Sequence, residues 1–333
     1  MRRVFLLLAV VLALSSLPGP AVRAAGATDT AHCDRACLYG FVDRYLDALA
    51  QRDARRLPWS RGARYSENNV LLAIGDGMWG TTTALGDYKL RFADVKTGQV
   101  GFFGVVHESE NRSAFALRLK IHRRQITEAE AVVVRLADLG SLDGGPNPFF
   151  NARFEDKPIL LSDLKPSERR PRDELVAVAN GYFETLQKND GRLFTRFHPD
   201  CNRVENGVLS TNSPTNDRGA FSSLGCEAQF RLGMYRFDDR LRDRRYPLVD
   251  EERGIVLSAG FIDHTGTLAS FPMTDGRIRQ SPLRRPHSFY LLELFKIVDG
   301  QIRQVESAFV TVPYGMVSAW PVPRTRIPLI RNP

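Results

Sequence analysis

Two stretches decide the fold. Tyr45–Leu57 (YLDALAQRDARRL) is followed by Ala63–Val70 (ARYSENNV), and Tyr182–Phe194 (YFETLQKNDGRLF) by Asn202–Val208 (NRVENGV). Tyr45 aligns with Tyr182, Asp53 with Asp190, Glu67 with Glu205 and Asn68 with Asn206. Agreement at several positions in one order is the mark of an internal repeat. Upstream, Leu38, Phe41, Val42, Tyr45, Leu46 and Leu49 recur at helical spacing. So do Leu175, Val178, Ala179, Tyr182, Phe183 and Leu186, and each set predicts an amphipathic helix.

Each helix leads into strand-rich sequence. GQVGFFGVVHES (98–109), RSAFALRLKIH (112–122) and QITEAEAVVVRL (125–136) follow the first; GIVLSAGFIDH (254–264), SFYLLELFKIV (288–298) and QIRQVESAFVTV (301–312) follow the second. Branched and aromatic residues between turn residues read as strands. Glu130 aligns with Glu306. The predicted plan is α+β: two cone-shaped units, each a long helix packed on a curved antiparallel sheet. The units span 28–138 and 172–312. The Gly- and Pro-containing stretch 139–171 joins them, and 313–333 forms a Pro-rich C-terminal tail.

Residues 1–27 carry Arg2 and Arg3, an apolar run Val4–Leu14 and small residues ending near Ala27. That is the plan of a secretory signal peptide, with an apolar run too short to span a bilayer. The expected location is secreted or periplasmic, with no membrane association after cleavage. Cys33, Cys37, Cys201 and Cys226 would then meet an oxidising compartment. Pairing within each repeat gives Cys33–Cys37 and Cys201–Cys226. Their spacing does not resemble a zinc site, and no metal is expected.

The chain is 43% hydrophobic and 25% charged, with a net charge of +8. Its arginines are scattered; the densest run, Arg240–Arg245, contains an acid and precedes Asp250, Glu251 and Glu252. Without a basic stripe interleaved with aromatics, no nucleic-acid partner is expected. There is no GxSxG elbow, HExxH pair or Walker loop, and no cofactor is implied.

The segments Cys37–Asp53, Arg64–Asn68, Gly75–Thr81 (GDGMWGT), Arg244–Leu257 and Asp263–Thr267 are similar to a family of secreted proteins of unknown function. A helix closed by a curved sheet resembles the nuclear-transport-factor-2-like, or SnoaL-like, superfamily, of which the chain looks like a tandem member. That superfamily includes dehydratases, ketosteroid isomerases, polyketide cyclases, epoxide hydrolases, lyases acting on lignin-derived aromatics, and proteins that only bind. The resemblance implies an apolar pocket with few polar groups, suited to proton transfer and to a small-molecule ligand.

Within that expectation His264, ending a strand, is the candidate acid or base. Asp263 beside it should point to the opposite face. Glu205 and Tyr182 would assist; Glu205 could instead pair with Arg203 and act structurally. Arg245 would hold an anionic group, with Arg244, Tyr246 and Arg203 as further substrate contacts. The second copy, with its insertion Thr267–His287, is the expected active one. The leading expectation is a cofactor-independent lyase or isomerase of a small, largely apolar oxygenated molecule. The alternatives are a non-catalytic binder of such a molecule, or an interaction module that forms a homo-oligomer through an outer sheet face.

Overall fold

A computed structural model describes residues 33–135, 153–214 and 220–323. The expected signal peptide, part of the joining stretch and the last ten residues lie outside them. The described residues fall within one unit, Ala31–Pro333.

Helix α1 (Arg35–Ala50) is capped by Asp34, whose side chain accepts from the Cys37 amide. The Cys33–Cys37 disulfide spans this first turn. Its counterpart, here called α4 (Arg172–Lys188), carries Asp173 and Glu174 in the first turn and ends on Asn189 in the left-handed conformation. Acid at the start and an αL residue at the end suit the helix dipole and the orphan carbonyls. Three short helices lie elsewhere: α2 (Met78–Thr81), α3 (Pro158–Leu161) and α5 (Cys226–Arg231).

In the first copy the strands are β1 (Trp59–Glu67), β2 (Val70–Leu72), β3 (Thr82–Asp94), β4 (Gln99–Glu108), β5 (Asn111–His122) and β6 (Gln125–Val134). They form a six-stranded sheet in the order β2-β1-β6-β5-β4-β3. The second copy supplies β7 (Phe197–Glu205), β8 (Val208–Leu209), β9 (Arg240–Asp250), β10 (Ile255–His264), β13 (His287–Val298) and β14 (Gln301–Val312). Their order, β8-β7-β14-β13-β10-β9, is the same plan. Both sheets are antiparallel except at β1–β6 and β7–β14. The insertion folds as a separate hairpin, β11 (Ser270–Pro272) with β12 (Ile278–Gln280).

The repeated Glu-Asn pair is explained by turn chemistry. Asn68–Asn69 and Asn206–Gly207 are two-residue hairpin loops with φ of 50°, 67°, 49° and 82°. Such loops match strand twist but need residues that tolerate positive φ. Each asparagine also bridges to the next strand. The Asn68 side chain donates to Val133 O and accepts from Val133 N; Asn206 does the same with Phe309.

Alternate side chains of the first sheet enter different cores. Phe102, Phe115 and Val133 pack with α1, whereas their neighbours Phe103, Ala114 and Val132 join a cluster shared with the second copy. The two sheets therefore bury their outer faces against each other. The contact has approximate two-fold symmetry. Arg35 of α1 pairs with Asp250 at the end of β9, and Arg172 of α4 pairs with Asp94 at the end of β3. Asp250 also accepts from Ala93 N, and Asp94 from Val249 N. Such reciprocity is how a self-complementary interface is built. At its centre Glu130 accepts from Arg118, Arg245 and Tyr290, all buried. Nearer one edge the Tyr88 hydroxyl donates to Glu306. The C-terminal residues return to the first copy, where buried Trp320 donates to Ser66 and Asn69 accepts from Ala319 N.

Candidate functional site

The helix-facing side of the second sheet holds a buried carboxyl, Glu293, in apolar surroundings. Along β13 the side chains of Phe289, Leu291, Glu293 and Phe295 share one face, since strand residues alternate. Phe295 contacts the ring of Tyr182 from α4 at 4.9 Å. Glu293 therefore sits in an otherwise apolar row, 5% exposed. The Tyr182 hydroxyl lies close enough to Glu293 and Arg203 to perturb the ionisation of that carboxyl and be perturbed in turn. Burial pushes the Glu293 carboxyl up to about 7, against the opposing pull of Arg203 and Tyr182. The Tyr182 phenol itself is driven well above its usual range by burial.

Arg203, on β7, enters the same space. Its guanidinium donates to Gln229 Oε1 at 3.0 Å, Tyr235 OH at 2.8 Å and Glu205 Oε1 at 2.6 Å. It lies over the rings of Phe230 and Tyr235, each at 5.1 Å. Gln229 and Phe230 come from α5, which the Cys201–Cys226 disulfide ties to β7. Tyr235 leads to a lower group. The Phe237 carbonyl stands 3.0 Å from His264 Nδ1, and Asp238 Oδ1 stands 3.4 Å from the same nitrogen. A carbonyl only accepts, so Nδ1 carries the proton and Nε2 is the free lone pair. Nε2 has no hydrogen-bond partner among the described residues. Burial drives the His264 imidazole down to about 4, so it is neutral at neutral pH. Burial likewise pushes the Asp238 carboxyl well up.

The residues singled out from the sequence separate into two sets. Tyr182, Arg203, Glu205 and His264 stand on the helix-facing side of the second sheet. Glu205 is engaged by Arg203 and by the Ser210 hydroxyl, at 3.2 Å. Arg244 and Tyr246 reach α4: Arg244 donates to Asn180, Glu184 and Gln187, and Tyr246 donates to Asn180. Arg245 lies between them in sequence and so points the other way, into the interface with Glu130. Asp263 likewise faces away from His264, accepting from Arg240, Arg242 and Ser288. Both cysteine pairs are disulfides.

Sequence reading missed Glu293, Gln229, Tyr235, Asp238 and Arg279. The one available signal was Glu293 itself, a charge inside the apolar run SFYLLELFKIV. The first copy lacks the set. The matching register places Leu117 where Glu293 stands, and Tyr65 where Arg203 stands. Tyr45 remains, its hydroxyl buried without a partner among the described residues.

A groove of about 550 Å³ opens at the pseudo-two-fold contact, lined by Arg35, Asp94, Lys96, Arg170 and Asp250. Its charged side chains are paired with one another or with neighbours: Arg35 with Asp250, Lys96 with Glu251, Arg170 with Glu174. Among the described residues no three His, Cys, Asp or Glu side chains are grouped as metal ligands. No helix among them is long and apolar enough to cross a membrane.

The second copy is similar to a family described only as a domain of unknown function, DUF8021, whose model matches residues 168–309. That span includes Tyr182, Arg203, His264 and Glu293. No curated protein matches the chain. Among solved structures, AclR from Streptomyces galilaeus, provisionally assigned as a hydroxylase, is 14% identical. The match covers 43% of this chain and 83% of that one, with a TM-score of 0.27.

Proposed function

We propose that the protein is an exported, cofactor-independent lyase or isomerase acting on a small, largely apolar oxygenated molecule, and that its second copy carries the reaction. The observation that supports this is the Glu293 carboxyl, buried in an apolar row and poised near neutrality beside Tyr182 and Arg203. A group with a pKa near the working pH is populated in both forms and is the most efficient proton-transfer catalyst. As carboxylate, Glu293 would take a proton from carbon next to a carbonyl. As acid, it would return that proton to a neighbouring carbon, or the carbanion would expel a β leaving group. The Tyr182 hydroxyl would steady the carboxylate, and Arg203 would stabilise developing negative charge. His264, neutral with a free Nε2, would serve as a second acceptor.

The organisation of helix and sheet in each copy supports membership of the nuclear-transport-factor-2-like superfamily, with cone-shaped units. The two disulfides support an exported location. An interaction role through an outer sheet face is disfavoured, because the two outer faces already cover each other.

The test needs no knowledge of the natural substrate. Solvent deuterium uptake at the α-carbon of cyclohexanone and of related enolisable ketones is followed by proton NMR. The wild type should accelerate exchange, and Glu293→Gln should lose about 10²-fold or more of the acceleration. Exchange at the wild-type rate in Glu293→Gln would refute the assignment.

A further inference from the structure

The geometry points to an anion site in the second copy: Arg203 and Arg279 receive the carboxylate of a small, aromatic or otherwise planar organic acid beneath the β11–β12 hairpin. This rests on the reading of the helix-facing cluster of the second copy as the functional site, and names the class of molecule that enters it.

The cation side of the site is overbuilt for the partners it has. Arg203 is 4% exposed, and its two terminal nitrogens are used, yet its Nε is buried with no acceptor among the described residues. Arg279, on β12, forms no hydrogen bond or ion pair with any described residue, and its Nε is also buried. Instead its guanidinium lies over the rings of Phe221 at 4.7 Å and Phe237 at 5.9 Å. The Tyr235–Phe237 ring pair, 6.1 Å apart, joins the two arginines, since Arg203 lies over Tyr235.

Among the described residues Arg203 hydrogen-bonds one carboxylate, Glu205, and has Glu293 nearby, whereas Arg279 has no carboxylate hydrogen-bonded to it. Asp238 is close enough to both arginines to feel their charge, but it hydrogen-bonds to neither, and burial biases it to the neutral form. Guanidinium groups do not give up their proton, so Arg279 keeps a positive charge with no acceptor on its buried Nε among the described residues. A planar carboxylate is the group whose two oxygens match unused guanidinium N–H donors.

The surrounding wall selects the rest of the molecule. Phe221, Tyr235 and Phe237 offer ring faces, and Met234 packs with Phe271 and Met273 of the hairpin. Aromatic faces and methionine sulfur suit a flat apolar body and adapt to its shape. The hairpin is anchored at its tip, where Thr274 N donates to Leu232 O at 3.1 Å and the Thr274 hydroxyl donates to Arg231 O at 2.7 Å. Arg279 is thereby carried on a surface hairpin with its Nε buried.

Calorimetric titration of the full protein with benzoate, phenylacetate and the uncharged isostere benzamide tests the site. Benzoate or phenylacetate should bind about tenfold or more tightly than benzamide, and Arg279→Met should remove that preference. Arg279 is partly exposed, so the variant should keep its unfolding midpoint; Arg279→Gln repeats the measurement if it does not. No carboxylate binding, no preference over benzamide, or an unchanged preference in both Arg279 variants overturns the proposal. The carboxylate preference in the wild type and its loss in Arg279→Met, together with undiminished deuterium exchange in Glu293→Gln, would instead sink the proton-transfer reading alone.

Discussion

Replacing Glu293 by glutamine should change how stability depends on pH, in a direction fixed by the sign of the shift. Unfolded, this carboxyl ionises near 4.5; folded, burial raises it to about 7. Between those values the folded protein holds the proton and the unfolded chain has lost it. Stability therefore falls as pH rises through this window, and the cost is absent below it. At about 1.4 kcal/mol per unit, the full cost above pH 7 is roughly 3 kcal/mol. His264 acts the other way. Its imidazole is lowered from 6.5 to about 4, so the stability it adds at neutral pH is lost as pH falls through the same range. The wild-type curve alone would look flat where the two effects cancel. The difference between wild type and Glu293→Gln isolates the carboxyl, because His264 is common to both. Urea unfolding at intervals from about pH 4 to about pH 8.5 should show Glu293→Gln gaining roughly 3 kcal/mol on the wild type across the series. A difference independent of pH would mean that Glu293 titrates like an exposed glutamate, and the acid–base reasoning would fail with it.

Two further outcomes test the architecture. Glu130→Gln or Arg245→Met alone removes one partner from the buried network of Glu130, Arg118 and Arg245, and each should cost about 3 kcal/mol in denaturant unfolding. The double variant Glu130→Met with Arg245→Met should recover most of that loss; additive losses would mean the two side chains are not coupled. Asn206→Ala imposes positive φ on alanine and removes two hydrogen bonds to Phe309, so it should cost roughly 2 kcal/mol. Asn68→Ala should match it, and a neutral outcome at both would reject the shared turn geometry.

The repeat was legible because helix spacing and turn chemistry are local. Leu38 to Leu49 and Leu175 to Leu186 each mark one face of one helix, and the Glu-Asn pairs mark tight hairpin loops. The placement of strand side chains was less legible. Strands such as GIVLSAGFIDH are buried on both faces, so no polar alternation reveals which residues look toward the helix. That is why Arg244, Arg245 and Tyr246 read as one cluster, although alternation sends Arg245 to the interface with Glu130 and the other two toward α4. It is also why Glu293 escaped notice: it has no polar neighbours in sequence, and its companions Tyr182, Arg203 and Tyr235 come from three other segments. Arg279 was hidden for a related reason. Its importance lies in the acceptors it lacks, which no sequence pattern displays.

The divergence of the two copies follows from what each face must do. Pairing the outer faces constrains both copies at once: Glu130 needs Arg245 and Tyr290, Glu306 needs Tyr88, and the Arg35–Asp250 and Arg172–Asp94 pairs are reciprocal. A change on one outer face leaves a buried group unpaired on the other, so these positions hold each other in place. The helix-facing sides carry no such mutual requirement and could drift apart. In the first copy the drift runs toward packing, with Leu117 and Tyr65 filling the space and Glu67 tied to Arg135 and the Met78 amide. In the second, Glu293 and Arg203 stand at the same register positions. Keeping a carboxyl there sacrifices stability at neutral pH, since the Glu293 window works against the folded state. A buried acid held at that cost, where the other copy has a leucine, is the feature on which the proposed proton-transfer reading rests, and the pH dependence of Glu293→Gln is its direct test.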